Sequence, residues 1–581
     1  MADINALKNA FFVNVGDLVQ AASSPSDPDI AITAANRPQT EGGCRATYLI
    51  DGENYFGALK SEIASLLAGG TDRFFYTNSW HLGTSRTPDT VVQIAEGTLT
   101  SAWKANANDI ISQPAFEIQA AGGTPSHPFI EDIGQMVAAG VDVRLSVWAS
   151  TFLVNFKEAE RDFEQLWEIN VHSLQSALDI RQLPGMADKV VLNVLAHTLS
   201  AMHIKMVVCG DSTGFRGYVS GIDFVQNRNA PPTHPAARFW HDVALKVEGR
   251  GADGLYRLFE QLWNEQVQRS AKTFKAFGYE IKSHVDDTPL IDARTTVPIA
   301  GAQHHVQILR TLPTMNFSFF ETDRVPVDCF KRLISGFKQK KLSFAEEGIF
   351  EFRAAQRKAV NAAQNYIYIE DQAFWNLELA GWINARLNAI AALKVILVHQ
   401  VDKADKSSPL LAELVDTLID GVPNPADRLA VAITPYTMHS KLTIIDDKWA
   451  VIGSSNCIRR SFYMEGEISV SVLDGTESVL DGTEPSFSAK FRKDLWGEHC
   501  GVQPGSDSDP LLTLNEALGI WRPAWGTPPV GFQLRSDIRL KAVPFIYMPD
   551  PVSKEAFKAP KPSKMSDAQR SVFDGDSRFE Y

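Results

Sequence analysis

The sequence is poor in three features that would otherwise define its class. Its 581 residues include five cysteines without CxxC or CxH spacing, which argues against a structural zinc finger and a disulfide framework and favours free thiols. No window approaches the roughly 18 uninterrupted apolar residues of a membrane-spanning helix, so no transmembrane segment is predicted. Basic residues number 56 against 69 acidic ones, and the net charge of −13 gives no general attraction for nucleic acid.

The N-terminal stretch MADINALKNAFFVNVGDLVQ also lacks a basic segment followed by an apolar run. It is therefore not a Sec-type signal peptide, and we expect a cytoplasmic protein or one exported by another route. Hydrophobic residues at 44% and charged residues at 22% are typical of a globular chain. A chain of this length predicts two or more domains or fused repeats.

The pattern that is present alternates β-branched runs with amphipathic segments. RATYLIDG, NYFGALKSEIASLLAGG and RFFYTNSW read as strand, helix and strand, with Gly69 and Gly70 ending the helix. The same alternation restarts at FEFRAAQRKAVNAAQ, NYIYIED and LKVILVHQ, after an aperiodic connection at 284–303. This pattern predicts an α/β sheet covered by helices on both faces.

The stretch HSKLTIIDD carries the strongest chemical signal. Residues two apart share one face of a strand, so His439 and Lys441 project side by side. A buried ammonium beside an imidazole is costly unless an anion binds there. Asp446 lies seven residues beyond His439 and faces the other way, so we expect it to anchor the following turn.

A second copy of the motif lies earlier in the chain. MHIKMVVCGD, with His203, Lys205 and Asp211, matches MHSKLTIID, and VSGID (to Asp223) matches IGSSN (to Asn456). The first copy is one residue longer, and we expect a bulge or tighter turn at Gly210 to absorb it. Two copies in one chain predict a fused pseudo-dimer whose two-fold axis brings His203 and His439 together.

These residues resemble the phospholipase D superfamily, whose signature is HxKx4D once per half, followed by GS/GG-x-x-N/D. WHDVALKVEG, NYIYIEDQAFW and LWGEHCG resemble further family segments, whereas Asp371 replaces the usual Asn and VSGID replaces GGID. The resemblance implies two fused α/β/α sandwich halves related by a pseudo-two-fold, with the active site at their interface. We expect an N-terminal half at 1–290, a C-terminal half at 291–505, and an extension and tail at 506–581.

The resemblance also implies roles for the motif residues. His203 is expected to attack phosphorus and form a phosphohistidine, and His439 to act as acid and base. Lys205 and Lys441 are expected to compensate charge on the phosphoryl oxygens. The motif is completed in each half by an aspartate, Asp211 and Asp446.

Carboxylates that orient the histidines are implied by the same family segments. Asp242 is expected to pair with His203, and Glu467 with His439, although Asp242 also fits a solvated turn acid and Glu465 competes with Glu467. The residues expected to bind substrate are Asp223, Gln372, Ser454 and Asn456. Trp80, Trp148 and Trp375 follow strands and fit either a pocket lining or ordinary core packing. A structural role fits His241 better than catalysis.

The leading functional hypothesis is a phospholipase D that hydrolyses a phosphatidylcholine-like lipid to phosphatidic acid and can exchange its headgroup. Alternatives are a nuclease or another soluble phosphodiesterase, a cardiolipin-synthase-like phosphatidyltransferase, and an inactive lipid-binding protein. We expect a phospholipid at a membrane surface as partner, no stable nucleic acid, and a monomer. No cofactor and no metal site are expected, because the motif chemistry needs no divalent ion and no carboxylate cluster is evident.

Overall fold

The architecture was analysed in a computed structural model of the chain. The structure describes residues 3–19, 30–31, 37–83, 117–118, 127–151, 154, 164–196, 200–225, 228–232, 234, 240–276, 279–312, 342–346, 348–372, 374, 376–400, 408–463, 465–502, 513–528 and 532–540. Trp375, one of the three tryptophans considered above, lies outside these residues.

Within the described residues, sixteen strands form one continuous mixed sheet. The strands of the first half are Gln39–Ile50, Phe74–Ser79, Asp142–Trp148, Val190–Asn193, Met206–Asp211, Gly214–Ser220 and Val243–Glu248. Those of the second half are His304–Leu312, Ile349–Phe350, Tyr366–Asp371, Lys394–Gln400, Leu429–Thr434, Lys441–Ile445, Trp449–Gly453, Glu467–Asp474 and Arg539–Leu540. Both motifs therefore lie on strands of the same sheet.

The order of the strands is symmetrical about the centre of this sheet. Gln39–Ile50 and His304–Leu312 pair antiparallel at the centre and join the two halves. Outward from the centre, the strands of each half follow the same order. The strand that begins at or directly after the expected carboxylate comes first, and the two strands of the motif hairpin follow, with the motif strand second. Three strands that run parallel to one another complete each half. The predicted α/β fold with a repeated unit is confirmed, with the addition that the two halves share one sheet.

Helices cover both faces of the sheet. They span Ile4–Phe11, Asp51–Ala68, Phe129–Ala138, Glu164–Arg181, Arg250–Val267, Glu351–Ala362, Leu377–Ala389, Ser408–Ile419, Arg459–Tyr463, Glu477–Leu480, Phe487–His499 and Leu514–Trp521. One core runs under Arg250–Val267 and Phe487–His499 across both halves, and each half has a separate core on its opposite face. This is the α/β/α layering that the alternating sequence pattern predicts.

Local sequence signals account for several element boundaries. Gly69 and Gly70 both have positive φ and end the helix Asp51–Ala68, as predicted. The apolar stripe from Leu255 to Trp263 is fully buried on one helix face. No helix or strand interrupts 284–303, so the predicted connection between the halves is irregular.

The first and last described segments both pack on the second half. Phe11, Phe12 and Val13 belong to the core around Glu351–Ala362, although the expected division places them in the first half. The helix Leu514–Trp521 and the edge strand Arg539–Leu540 extend the second half from within 506–581. The halves are therefore not strictly sequential in the chain, and the proposed domain boundaries stay a prediction. Among the described helices, none has the length and apolar character needed to cross a membrane.

Candidate active site

Two equivalent contacts across the pseudo-two-fold bring the motifs together. Thr437–Met438 pairs in parallel with Trp240–His241, and the N–H of His439 donates to the carbonyl of His241 at 2.8 Å. In the same way Met202 bridges Gly466, whose N–H donates to the carbonyl of Ala201 at 2.9 Å. Each motif strand is thus pinned by the opposite half just before its histidine.

The histidine–carboxylate pairs cross between the halves. Nδ1 of His203 lies 3.0 Å from Oε1 of Glu467, and Nδ1 of His439 lies 2.6 Å from Oδ2 of Asp242. The expected pairing of Asp242 with His203 and of Glu467 with His439 is therefore wrong. The reason is the parallel contact between 240–241 and 437–438, which sets the next residue of each segment side by side.

Glu467, and not Glu465, is the carboxylate that contacts the imidazole. Glu465 is held by the guanidinium of Arg460, with Nε 2.9 Å from Oε1. The hydroxyls of Ser454 and Ser461 both donate to Glu467. Ser454, expected to touch substrate, thus orients a carboxylate instead.

Burial and neighbouring cations keep the two imidazoles neutral. Burial, with Lys205 and Lys441 adding to it, holds the pKa of His203 well below its usual range. The pKa of His439 is lowered by burial and by the same two lysines. Because each lysine acts on both rings, the two motifs share one electrostatic environment. Burial raises the pKa of Asp242 to about 7.

The two lysines have different neighbours. Nζ of Lys205 lies 3.6 Å from Oδ2 of Asp223 and 4.7 Å from the centre of the Trp80 ring. Nζ of Lys441 donates to the amide oxygen of Gln372 at 3.1 Å. Asp223 and Gln372, both expected at the site, therefore contact the motif lysines.

Asn456 is a buried side chain that the described protein leaves unsatisfied. It is 1% exposed, and neither its amide nitrogen nor its amide oxygen has a hydrogen-bond partner among the described residues. A buried amide without partners costs free energy unless a ligand supplies them. This is the environment expected of a substrate-binding residue.

The two motif aspartates lie away from the imidazoles and differ from each other. The carboxylate of Asp446 accepts from the backbone N–H groups of Gln364, Asn365 and Tyr366 at 2.7–2.8 Å. It thus anchors the segment before the strand Tyr366–Asp371 rather than the turn that follows it. The carboxylate of Asp211 accepts from the N–H of Thr213 at 2.7 Å, within its own hairpin.

The extra residue of the first motif is absorbed without a bulge. The hairpin of Met206–Asp211 with Gly214–Ser220 keeps a regular register and closes with Asp211 opposite Gly214. The second hairpin closes two pairs earlier, with Ile445 opposite Trp449. Of the two expected alternatives, the bulge at Gly210 is wrong and the tighter turn is found: the first strand is longer, and its turn has two residues where the second has three. Gly210 has no room for a side chain, since a Cβ there would meet the carbonyl oxygen of Gly214 at 2.4 Å.

Aromatic rings that the motifs do not include border both histidines. The Trp80 ring lies 5.2 Å from the ring of His203 and stacks 5.9 Å from Trp148. The Trp240 ring lies 4.9 Å from the ring of His439, and the guanidinium of Arg228 lies over it. Trp80 directly follows a strand and Trp148 ends one, and this position at strand ends is the signal that pointed to them. Arg228 was not predicted, because it lies in an aperiodic stretch.

Among the described residues, three sets of side chains have the composition of a metal site. One includes His203, Glu465 and Glu467, whose carboxylates already bind Arg460 and two serines. The other two share His241 behind the second motif and are considered below. The sequence analysis missed them because their members come from separate segments.

Comparisons with known proteins agree with the motifs. A family model described as "Cardiolipin synthase, PLD-like domain" matches residues 357–488. Phospholipase D beta 1 of Arabidopsis thaliana is 24% identical over 431 residues, covering 53% of this chain and 38% of that protein. Human phospholipase D1 is 24% identical over 349 residues, covering 51% of this chain and 29% of that protein.

Among solved structures, phosphatidylserine synthase from Haemophilus influenzae matches this chain with a TM-score of 0.40 and 11% sequence identity. The match covers 76% of this chain and 84% of the synthase chain. The chain belongs to the phospholipase D superfamily. The alignments with both curated relatives named above span less than half of the length of those proteins.

Proposed function

We propose that the chain is a phospholipase D that cleaves a phosphatidylcholine-like glycerophospholipid to phosphatidic acid and free headgroup. The observation that carries the proposal is the pair of crossed imidazole–carboxylate contacts, each with a lysine two residues beyond the imidazole. Two imidazoles and two ammonium groups in one electrostatic environment suit a phosphodiester, which needs a nucleophile, an acid and charge compensation.

The first step forms a phosphohistidine on His203. Because Nδ1 of His203 faces Glu467, Nε2 is the nitrogen that attacks phosphorus. The phosphorus–oxygen bond to the headgroup breaks, and Nε2–H of His439 gives its proton to the leaving oxygen. Asp242, whose pKa burial raises to about 7, supplies a proton to Nδ1 of His439 across the 2.6 Å contact.

The second step reverses these proton transfers. His439 removes a proton from water, the water oxygen attacks phosphorus, and the phosphorus–nitrogen bond to His203 breaks. Phosphatidic acid leaves and both imidazoles return to their starting state. An alcohol in place of water gives headgroup exchange by the same path.

Charge on the phosphoryl oxygens is compensated by Lys205, Lys441 and the unsatisfied amide of Asn456. The stacked rings of Trp80 and Trp148 provide apolar surface beside His203, which suits a lipid substrate. The relatives named phospholipase D support the same substrate class.

A phosphatidyltransferase is the second candidate, because the family model over residues 357–488 carries the description of a cardiolipin synthase. The chemistry is the same, and only the acceptor alcohol differs. A nuclease uses this chemistry as well, but the net charge of −13 argues against it.

The test is an incubation with phosphatidylcholine vesicles and ethanol, with and without EDTA. Phosphatidylethanol and phosphatidic acid are expected, and both products should be absent with His439→Ala. Parallel reactions with phosphatidylglycerol alone and with single-stranded DNA identify a transferase or a nuclease. Turnover of DNA without turnover of lipid would overturn the proposal.

A further inference from the structure

A buried cluster of histidines and carboxylates lies behind the second motif, at the junction of the two halves. Its centre consists of Asp51, His234 and His241 from the first half and Glu498 from the second. All four are buried, at 0–7% exposure. None of them takes part in the reaction proposed above.

The donor atoms of the cluster are spaced like ligands of one ion. Nδ1 of His241 lies 3.0 Å from both Oδ1 of Asp51 and Oε1 of Glu498. Nε2 of His234 lies 2.9 Å from Oε1 of Glu498 and 3.3 Å from Oδ2 of Asp51. Around a tetrahedral Zn²⁺ with bonds of about 2.0–2.1 Å, neighbouring donor atoms are separated by about 3.3 Å.

Hydrogen bonding leaves several of these donor atoms unsatisfied. The contact between Nε2 of His234 and Oε1 of Glu498 has the geometry of a hydrogen bond. Nδ1 of His241, Oδ2 of Asp51 and Oε2 of Glu498 have no hydrogen-bond partner among the described residues, although oxygens or nitrogens lie beside them. Buried polar atoms at this distance without a bond indicate that something positive belongs between them.

The outer contacts fix the orientation of His241. Its Nε2 lies 3.1 Å from Oε2 of Glu370 and donates to it, which turns the lone pair of Nδ1 toward the two carboxylate oxygens. Glu370 is held in turn by Tyr368 at 2.8 Å and His499 at 2.6 Å. A carboxylate behind a ligating histidine is the usual second layer of a metal site.

The negative charge of the cluster also favours a bound cation. Asp51, Glu370 and Glu498 are three buried carboxylates, and in the described part of the chain their only ion-pair partners are histidines. A divalent ion held by two neutral imidazoles would balance Asp51 and Glu498.

We propose that Asp51, His234, His241 and Glu498 bind one divalent metal ion of the zinc class. With four protein ligands the site is closed, so the ion is structural. It would tie the halves together directly behind the second motif, since His241 holds the backbone of His439, and the N–H of Asp51 donates to the carbonyl of Asp242 at 2.8 Å. The inference does not depend on the reaction or substrate proposed above.

The test is elemental analysis of the purified full-length protein, produced with zinc and then dialysed against metal-free buffer. We expect about one zinc ion per chain. His234→Gln should lower the content at least about tenfold and lower the melting temperature. His284→Gln is the matched control: it removes a buried histidine outside this network, whose ring contacts Ser283, and the zinc content should stay.

Replacement by Co²⁺ keeps the proposal testable if His234→Gln does not fold. Cobalt in the native protein should give the visible absorption bands of a tetrahedral site with nitrogen and oxygen ligands. A native chain that binds neither ion, and whose melting temperature does not respond to zinc or to 1,10-phenanthroline, would show a network of protonated histidines and carboxylates and overturn the proposal. Zinc retained by both His234→Gln and Glu498→Gln would also overturn it.

Discussion

The two halves present equivalent positions to the site but fill them differently. By strand register, Trp80 occupies the place of Gln372, and Asp223 that of Asn456. Lys205 is consequently balanced by a carboxylate and a ring face. The ammonium of Lys441 instead donates to an amide oxygen. Duplicated motifs therefore do not imply duplicated roles.

The carboxylates show the same asymmetry. Ser454, which donates to Glu467, is replaced in the first half by Gly221. A Cβ at Gly221 would lie 2.6 Å from Oδ1 of Asp242, so this glycine makes room for the shorter carboxylate. One half stabilises its carboxylate with a hydroxyl, and the other brings it close to the backbone.

Removal of either histidine should have the largest effect. His203→Ala and His439→Ala are each expected to lower turnover at least about 10³-fold. The two variants should differ in whether the covalent intermediate forms. After incubation with a phosphate-labelled lipid, His203→Ala protein should carry no acid-labile label. His439→Ala should still be labelled by a substrate whose leaving group needs no proton. A labelled His203→Ala protein would reverse the two roles.

Removal of either lysine should have the next largest effect. Lys441→Ala is expected to lower turnover by about 10²–10³-fold, or roughly 3–4 kcal/mol, the usual loss for one group that stabilises developing charge. Lys205→Ala is expected to fall in the same range, because both ammonium groups act on both imidazoles. Steady-state kinetics on vesicles measure both, and unchanged turnover in either variant would contradict its role.

The pH profile should distinguish the two carboxylates. The proton that burial keeps on Asp242 is present below pH about 7 and lost above it, so turnover should fall as the pH rises through 7. Asp242→Asn cannot hold that proton and should lower the rate and remove this alkaline limb. Glu467→Gln serves as the control and should keep the limb. An unchanged profile in Asp242→Asn would assign the proton to another group.

The motif aspartates should give the smallest effects on turnover. Asp446→Ala leaves three N–H groups without their acceptor and should lower the free energy of unfolding by about 2–4 kcal/mol. Asp211→Ala, within its own hairpin, should change it by less than about 1 kcal/mol. Denaturant unfolding measures both, and similar losses would mean that the two positions are equivalent after all.

The local sequence pattern was sufficient to predict the fold class and most of the residues of the candidate site. The alternation of strands and helices, the repeat of His-x-Lys, and the involvement of Gln372 and Asp223 could all be predicted from the sequence. Which carboxylate faces which histidine could not, because the partners are 264 and 197 residues apart and both pairings fit the same motifs. The hairpin register around Gly210 was equally out of reach, since strand length and turn length compensate each other.

The cluster around His241 was missed for a related reason. A structural role was expected for this histidine, but its neighbours Asp51, Glu370 and Glu498 each belong to a different segment. A sequence motif reports spacing along the chain, whereas this cluster depends on a junction between two halves. Only the three-dimensional arrangement brings its members together.

Because the histidine–carboxylate pairs cross between the halves, neither half alone contains an imidazole together with its carboxylate partner. A fragment that ends after the first half would contain His203 without Glu467, and the remaining fragment would contain His439 without Asp242. Under the proposed function, reactivity toward phosphodiesters therefore requires both halves folded together, and a chain cut between them is expected to be inactive.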